Sequence, residues 1–300
     1  MTMFDLPDKK RPVPSVNALN RWLSDAERGI KVSTKRLGWL VASTVVVAAL
    51  QRALGDDQQP VFLVKGGVYI EFSLGLRART TRDIDTLFRG GLDEFADRLD
   101  EALAQPWGPF ELTRSEIEVI DAPKLVKPRR FWVRLNAKGS PWRPIQVEVS
   151  FPEGNIASQS RQVPPPNIGF FGLNAPEQLI GVAMDYQIAQ KLHAASDPGE
   201  DDYENQRVHD ICDLLLLKDA FYPGSPPPSL KAACIDIFEF RADEAAQLGR
   251  PVRHWPPVLA INDYWRTAYP SLAEELGITL TLDEAAAVIE EWVSEIDAAR

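Results

Sequence analysis

The sequence predicts an α/β fold of the α+β kind, with a mixed N-terminal half followed by an α-helical C-terminal half. Three observations predict it. Short runs of β-forming residues at 61–64, 82–88, 131–135 and 145–149 are confined to the first half of the 300-residue chain. A proline-rich stretch from Pro152 to Pro166 interrupts the pattern. From Pro176 onward apolar residues recur at helical spacing, broken by prolines at 223–228 and 256–257. The boundary is placed in the proline-rich stretch, giving units of residues 1–160 and 161–300.

Residues 1–15 read as a loose arm ending in Pro12 and Pro14. Leu19, Trp22 and Leu23 then share a helical face. Thr34 is the expected cap of a second helix running to about Leu54 and stopping at Gly55. Val61–Val64 reads as a buried strand, followed by Lys65-Gly66-Gly67 and a helix start. Residues 82–88 alternate charged and apolar, the period of a half-buried strand, and Phe95, Leu99 and Leu103 restore helical spacing. The runs at 131–135 and 145–149 are strands joined by a turn at Gly139-Ser140-Pro141.

The 45% hydrophobic and 25% charged composition suits a globular core that needs neither disulfides nor a structural metal. A net charge of -10 excludes a coat of basic charge for nonspecific nucleic-acid binding, though not a local basic groove. Cys212 and Cys234 sit in apolar helical runs and read as buried thiols, and the three histidines lack zinc-type spacing with them. The first fifteen residues do not read as a signal peptide, and the apolar run Leu37–Leu50 is too short to span a bilayer. A cytoplasmic protein without membrane contact is expected.

Asp83 and Asp85 are one residue apart on a strand, so both carboxylates face the same way while Ile84 points to the core. Mg²⁺ takes one or two carboxylates plus substrate phosphates, which such a pair can supply. A solvated strand edge would give the same pattern. Glu148, between Val147 and Val149, would stand beside the aspartates if its strand were adjacent, and is otherwise a solvent-facing strand residue. Lys65-Gly66-Gly67 at a strand-to-helix turn allows a phosphate close to the backbone and to the positive helix end; an ordinary turn is the alternative. Lys191 lies on a predicted helix with Gln187 one turn before it, and Asp210 and Asp213 share a face of another.

Taken in order, K-G-G, R-T-T-R-D-I-D, V-E-V, Q-K-L-H-A and R-x-x-D-x-x-D-L resemble the AbiEii/AbiGii nucleotidyltransferase toxins, including MenT-type enzymes, of the DNA polymerase β-like superfamily. The resemblance covers about residues 60–220. It implies two lobes: a small mixed sheet carrying the metal carboxylates, and a helical lobe holding the nucleotide. It implies transfer of nucleotides from an NTP to the 3′ end of tRNA, which blocks translation, in a toxin–antitoxin or phage-defence system with a cognate antitoxin. Gly66 and Gly67 take the place of the superfamily's glycine turn, and Asp83 and Asp85 that of its acidic pair. Lys191 matches the lysine proposed to hold the triphosphate, and Asp213, with Asp210 as its rival, the second lobe's required acid. Glu148 stands where the third carboxylate is often Asp.

The expected cofactor is Mg²⁺, with Mn²⁺ as a substitute: Asp83 and Asp85 as bridging ligands, Glu148 assisting, and Lys65, Lys191 and Arg79 holding the nucleotide. An RNA groove is expected from Lys124, Lys127, Arg129, Arg130 and Arg134, with Phe131 and Trp132 interleaved, and from Arg77, Arg79, Arg82 and Arg89. Thr80 and Thr81 precede the acid pair, and a phosphate there would repel NTP. Two other classes remain open: a metal-dependent D-x-D glycosyltransferase, which would need a doubly wound domain, and a non-catalytic partner-binding protein with the same fold.

Overall fold

The computed structural model describes residues 6–199 and 204–300. Its centre is one mixed sheet. Strand β1 (Phe62–Lys65) pairs antiparallel with β2 (Asp83–Phe88), which runs parallel to β6 (Ser140–Ser150). Strand β5 (Arg129–Ala137) forms a hairpin with β6. Lys138 and Gly139 both adopt positive φ, the two-residue turn that matches strand twist, so the turn sits one residue before its predicted place.

Four strands escape the sequence pattern. Strand β3 (Phe110–Arg114) and the two-residue β4 (Glu118–Val119) pair with β5. Strand β8 (Leu179–Val182) runs parallel to β1, and β7 (Ser160–Val163) closes that edge. The path is β3-β5-β6-β2-β1-β8-β7. The sheet therefore continues past residue 160, and the region after Pro176 opens with a strand rather than a helix. All four β8 residues are buried, and so short an apolar run has no period that separates strand from helix.

Alternation gives the sheet two unlike faces. Ile84, Phe131, Val133 and Val147 are fully buried on one, where Phe95 of α4 (Phe95–Leu103) lies 6.4 Å from Phe131 and 5.2 Å from Phe88. Helices α1 (Val16–Ile30) and α2 (Thr34–Leu50) pack on this side. From Leu37 to Leu50 every α2 residue is buried, as expected of a helix apolar all round. Its cap is Ser33, which accepts from the Arg36 amide, and not Thr34; it ends at Leu50, short of Gly55. The other face turns Asp83, Asp85, Gln146, Glu148, Arg130 and Trp132 outward.

Residues 6–15 of the N-terminal arm are docked where a loose arm was expected, and residues 1–5 lie outside the described residues. Lys9 and Val13 donate to the carbonyls of Gly169 and Gly172, Lys9 lies over the Trp22 and Phe170 rings, and Val13 is buried. The helical half is built on α5 (Met184–Ala195), packed between α6 (His209–Phe221) and α7 (Pro228–Gln247), with α8 (Asp263–Leu276) and α9 (Leu282–Ala298) against α6. Both cysteines are buried and free. Among the described residues no helix is long and apolar enough to cross a membrane.

Candidate active site

The sheet brings the three predicted carboxylates onto neighbouring strands. Asp85 is opposite Glu148 across the parallel β2–β6 ladder, and Asp83 is opposite Gln146. Both aspartates are partly exposed while Ile84 between them is buried. Burial raises the pKa of Asp85; Lys65 opposes that shift, and Asp83 and Glu148 reinforce it. Glu148 accepts from Arg130 Nε at 2.9 Å and Nη2 at 2.7 Å, and from Gln146 Nε2 at 3.0 Å, all at Oε1. Thr81 is buried and donates its hydroxyl to Asp83 Oδ1 at 3.0 Å, whereas Thr80 is exposed. A phosphate on Thr81 would thus require this contact to open first.

Gly66 has φ +64°, and a β-carbon built on it would lie 2.3 Å from Asp85 Oδ2. The glycine is needed because the Asp85 carboxylate occupies the space a side chain would take. It starts α3 (Gly66–Leu74), whose first amide donates to Gln187 Oε1 at 2.9 Å. Gln187 in turn donates to the Val182 carbonyl, so this amide, expected to face a phosphate, is tied to α5. Gly67 is closed in by Thr81 and Arg79.

Above these residues lies a cleft of about 200 Å³, lined by Lys65, Asp85, Gln190, Lys191, Arg207 and Arg241 among others. It shares Ala194, Arg207 and Arg241 with a neighbouring hollow of about 330 Å³ that reaches Lys124 and His193. Together the two reach the size of small-molecule sites. Burial pushes Lys65 below the ordinary lysine value, with Asp85 and Glu153 opposing.

Lys191 sits at the cleft wall as the centre of a buried ion network. Its ammonium donates to Asp210 at 2.7 Å and Asp213 at 2.8 Å. Arg79 donates to Asp213 and Arg207 to Asp210. Burial alone would lower the lysine, but the two carboxylates outweigh it and hold its pKa up. Burial would raise Asp210, and Arg207 and Lys191 carry it well below the carboxylate range instead. Asp210 and Asp213 thus hold the Lys191 ammonium, and Arg79 is bound to Asp213 from the other side.

Two buried or cleft-lining charged groups left no usable sequence signal. Glu153, buried in the proline-rich stretch, takes Lys124 at 2.6 Å and Arg241 at 2.8 Å and also accepts from Gln190. Arg241 lies 88 positions further on, so no local spacing links them. Gln187 was visible one turn before Lys191, but not as the partner of Gly66. The expected basic run divides. Lys124 is tied to Glu153 and Glu244, Lys127 to Asp121, and Arg89 to Asp57. Phe131 is a core residue, which corrects its expected role in stacking. Trp132 is exposed, as are Arg77, Arg82 and Arg134.

Residues 48–294 match the sequence model of the Nucleotidyl transferase AbiEii toxin, Type IV TA system. The chain belongs to the AbiEii family. The match crosses residue 160, so the AbiEii unit includes the sheet and the helical half alike. The structure of MenT4, a nucleotidyltransferase toxin from Mycobacterium tuberculosis H37Rv, is similar at 17% identity and a TM-score of 0.54, covering 94% of this chain and 99% of that one. That likeness shows a shared fold. A candidate nucleotidyltransferase from H. pylori aligns over 88% of this chain and 99% of its own, at 16% identity and a TM-score of 0.41. A search of curated proteins gives no match.

Proposed function

We propose that this AbiEii-family nucleotidyltransferase transfers a nucleotide from an NTP to the 3′ end of tRNA in a Mg²⁺-dependent reaction, blocking translation until a cognate antitoxin restrains it. The observation that carries the reading is the placement of the Asp83–Asp85 pair beside a cleft lined by Lys65, Lys191, Arg207 and Arg241. Carboxylates on one side and cations on the other suit a metal-bound triphosphate.

The donor set fits Mg²⁺. Among the described residues no three His, Cys, Asp or Glu side chains form a ready ligand group. Two carboxylates completed by substrate phosphates is nevertheless the usual arrangement for this ion. Burial raises the Asp85 pKa, Lys65 opposes it, and Asp83 and Glu148 add to it; a bound cation would favour the ionised carboxylate against both causes. When bound, the ion supplies charge neutralisation at the phosphates and activation of the attacking hydroxyl. Asp83 and Asp85 would hold it, with Thr81 keeping the Asp83 carboxylate in place. Glu148, whose Oε1 is taken by Arg130 and Gln146, keeps Oε2 for the ion or for the acceptor hydroxyl. Lys191, fixed by two aspartates, and Lys65 place positive charge against the triphosphate, and Arg207 and Arg241 extend it toward the leaving pyrophosphate.

A D-x-D glycosyltransferase is disfavoured by the mixed sheet, because that class calls for a doubly wound parallel one. The test is Asp83→Asn and Asp85→Asn assayed with labelled NTPs, Mg²⁺ and bulk tRNA. Each should lose label transfer at least about a hundredfold. Transfer within a few fold of the unaltered protein would reject the metal role, and label that never enters RNA would reject the acceptor.

A further inference from the structure

Two straight rungs cross the open face of the sheet. One runs from Asp83 on β2 to Gln146 on β6 and Trp132 on β5; the other from Asp85 to Glu148 and Arg130. Strand spacing sets the Trp132 backbone about 10 Å from that of Asp83. We propose that the outer face of β5 is the platform for a single-stranded RNA 3′ end, with a base beside the reacting nucleotide stacked on Trp132 and its phosphates held by Arg130 and Arg134. The proposal rests on the reading of the chain as an RNA nucleotidyltransferase and adds the surface that receives the acceptor.

Four observations support it. Trp132 is 38% exposed, although the neighbouring Phe131 is fully buried, so the indole is not needed to fill the core. Among the described residues no aromatic or cationic group stacks on its ring. Arg134, two positions along the same face, is exposed and has no ion pair or side-chain hydrogen bond among the described residues. Arg130 is already fastened to Glu148 Oε1 by contacts of 2.9 and 2.7 Å, so it ties the platform to the acids.

The occupant follows from the chemistry. An aromatic ring on an open sheet, flanked by guanidinium groups, recognises unstacked bases and their phosphates, as sheet-type RNA readers do. A duplex offers no free base face to such a ring. The platform also lies on the side of the acid pair away from Lys65 and β1, so the acceptor and the NTP approach from opposite flanks. Stacking tolerates any base, so the platform would read the single-stranded character of the end and leave its sequence to other contacts.

The experiment measures steady-state transfer to a tRNA acceptor by Trp132→Ala, Trp132→Phe and Arg134→Ala, with melting curves to confirm folding. Trp132→Ala should raise KM for the acceptor about tenfold to a hundredfold and leave KM for the NTP unchanged, and Trp132→Phe should recover most of the loss. Arg134→Ala should weaken RNA binding and reduce the slope of log affinity against log salt by about 1. An unchanged acceptor KM in Trp132→Ala, with the unaltered protein labelling tRNA normally, would overturn the platform alone. Loss of antitoxin inhibition in place of acceptor binding would overturn it in favour of a protein partner. If the unaltered protein labels no RNA, the fault lies with the proposed function.

Discussion

Replacing Gly66 by alanine tests the arrangement of the acid pair with a single methyl group. The new carbon would stand 2.3 Å from Asp85 Oδ2 and 2.9 Å from Asp85 Cβ. Restoring an ordinary contact moves the carboxylate by about 1 Å, and displacements of that size at a reacting centre cost on the order of a hundredfold in rate. Gly66 also has φ +64°, where a β-carbon costs about 1–2 kcal/mol in stability. The two effects can be separated. Gly139 has φ +75° in the β5–β6 turn, and a β-carbon there would meet nothing within 4 Å. Gly139→Ala should therefore lose similar stability and keep full activity. Gly66→Ala should melt lower by a comparable amount and lose label transfer about a hundredfold in single-turnover assays. A folded Gly66→Ala protein with transfer within about threefold of normal would refute the claim that this glycine exists to seat Asp85.

The ion network and the buried histidine give two further tests. Lys191→Met leaves Asp210 and Asp213 buried without their ammonium, which should cost about 3–5 kcal/mol in urea unfolding. Adding Asp210→Asn and Asp213→Asn should recover a large part of it, and a Lys191→Met protein as stable as the original would show that the network contributes little. His193 is held down to about 2 by burial, with Arg241 and Arg253 adding to it. Its native form is neutral, so the unfolded chain binds the proton first and stability falls as pH drops below about 6.5. The contribution is up to about 1.4 kcal/mol per pH unit. His193→Gln should flatten the fall between about pH 6.5 and about pH 4.5, and parallel curves for the two proteins would reject the assignment.

How much of this could be read from the sequence depended on how local the cause was. The acid pair was legible because strand alternation alone puts Asp83 and Asp85 on one face, and the ladder then delivered Glu148 beside Asp85. Helical spacing likewise paired Asp210 with Asp213, though it could not show both gripping Lys191. Strands β7 and β8 were lost because four residues carry too little period to outweigh the prolines and helices around them. Glu153 and Arg241 meet only through tertiary packing, and Phe131 was grouped with Trp132 although adjacent strand residues face opposite ways, which leaves Trp132 exposed and Phe131 in the core. The docked arm escaped notice since its anchors, the carbonyls of Gly169 and Gly172, lie far along the chain.

Gln187 on α5, which grips both Gly66 and the end of β8, has a bearing on how this fold can be recombined. Hybrids between relatives, spliced at the proline-rich loop, would cut through the sheet's own edge and bring together a turn and a glutamine that had never been matched. Junctions placed after Val182 keep the strands intact but still require a glutamine five residues downstream to meet the incoming turn. In this architecture the helical portion is a structural member of the site's floor, and exchanging it means exchanging the position of an acid on the far side of the cleft.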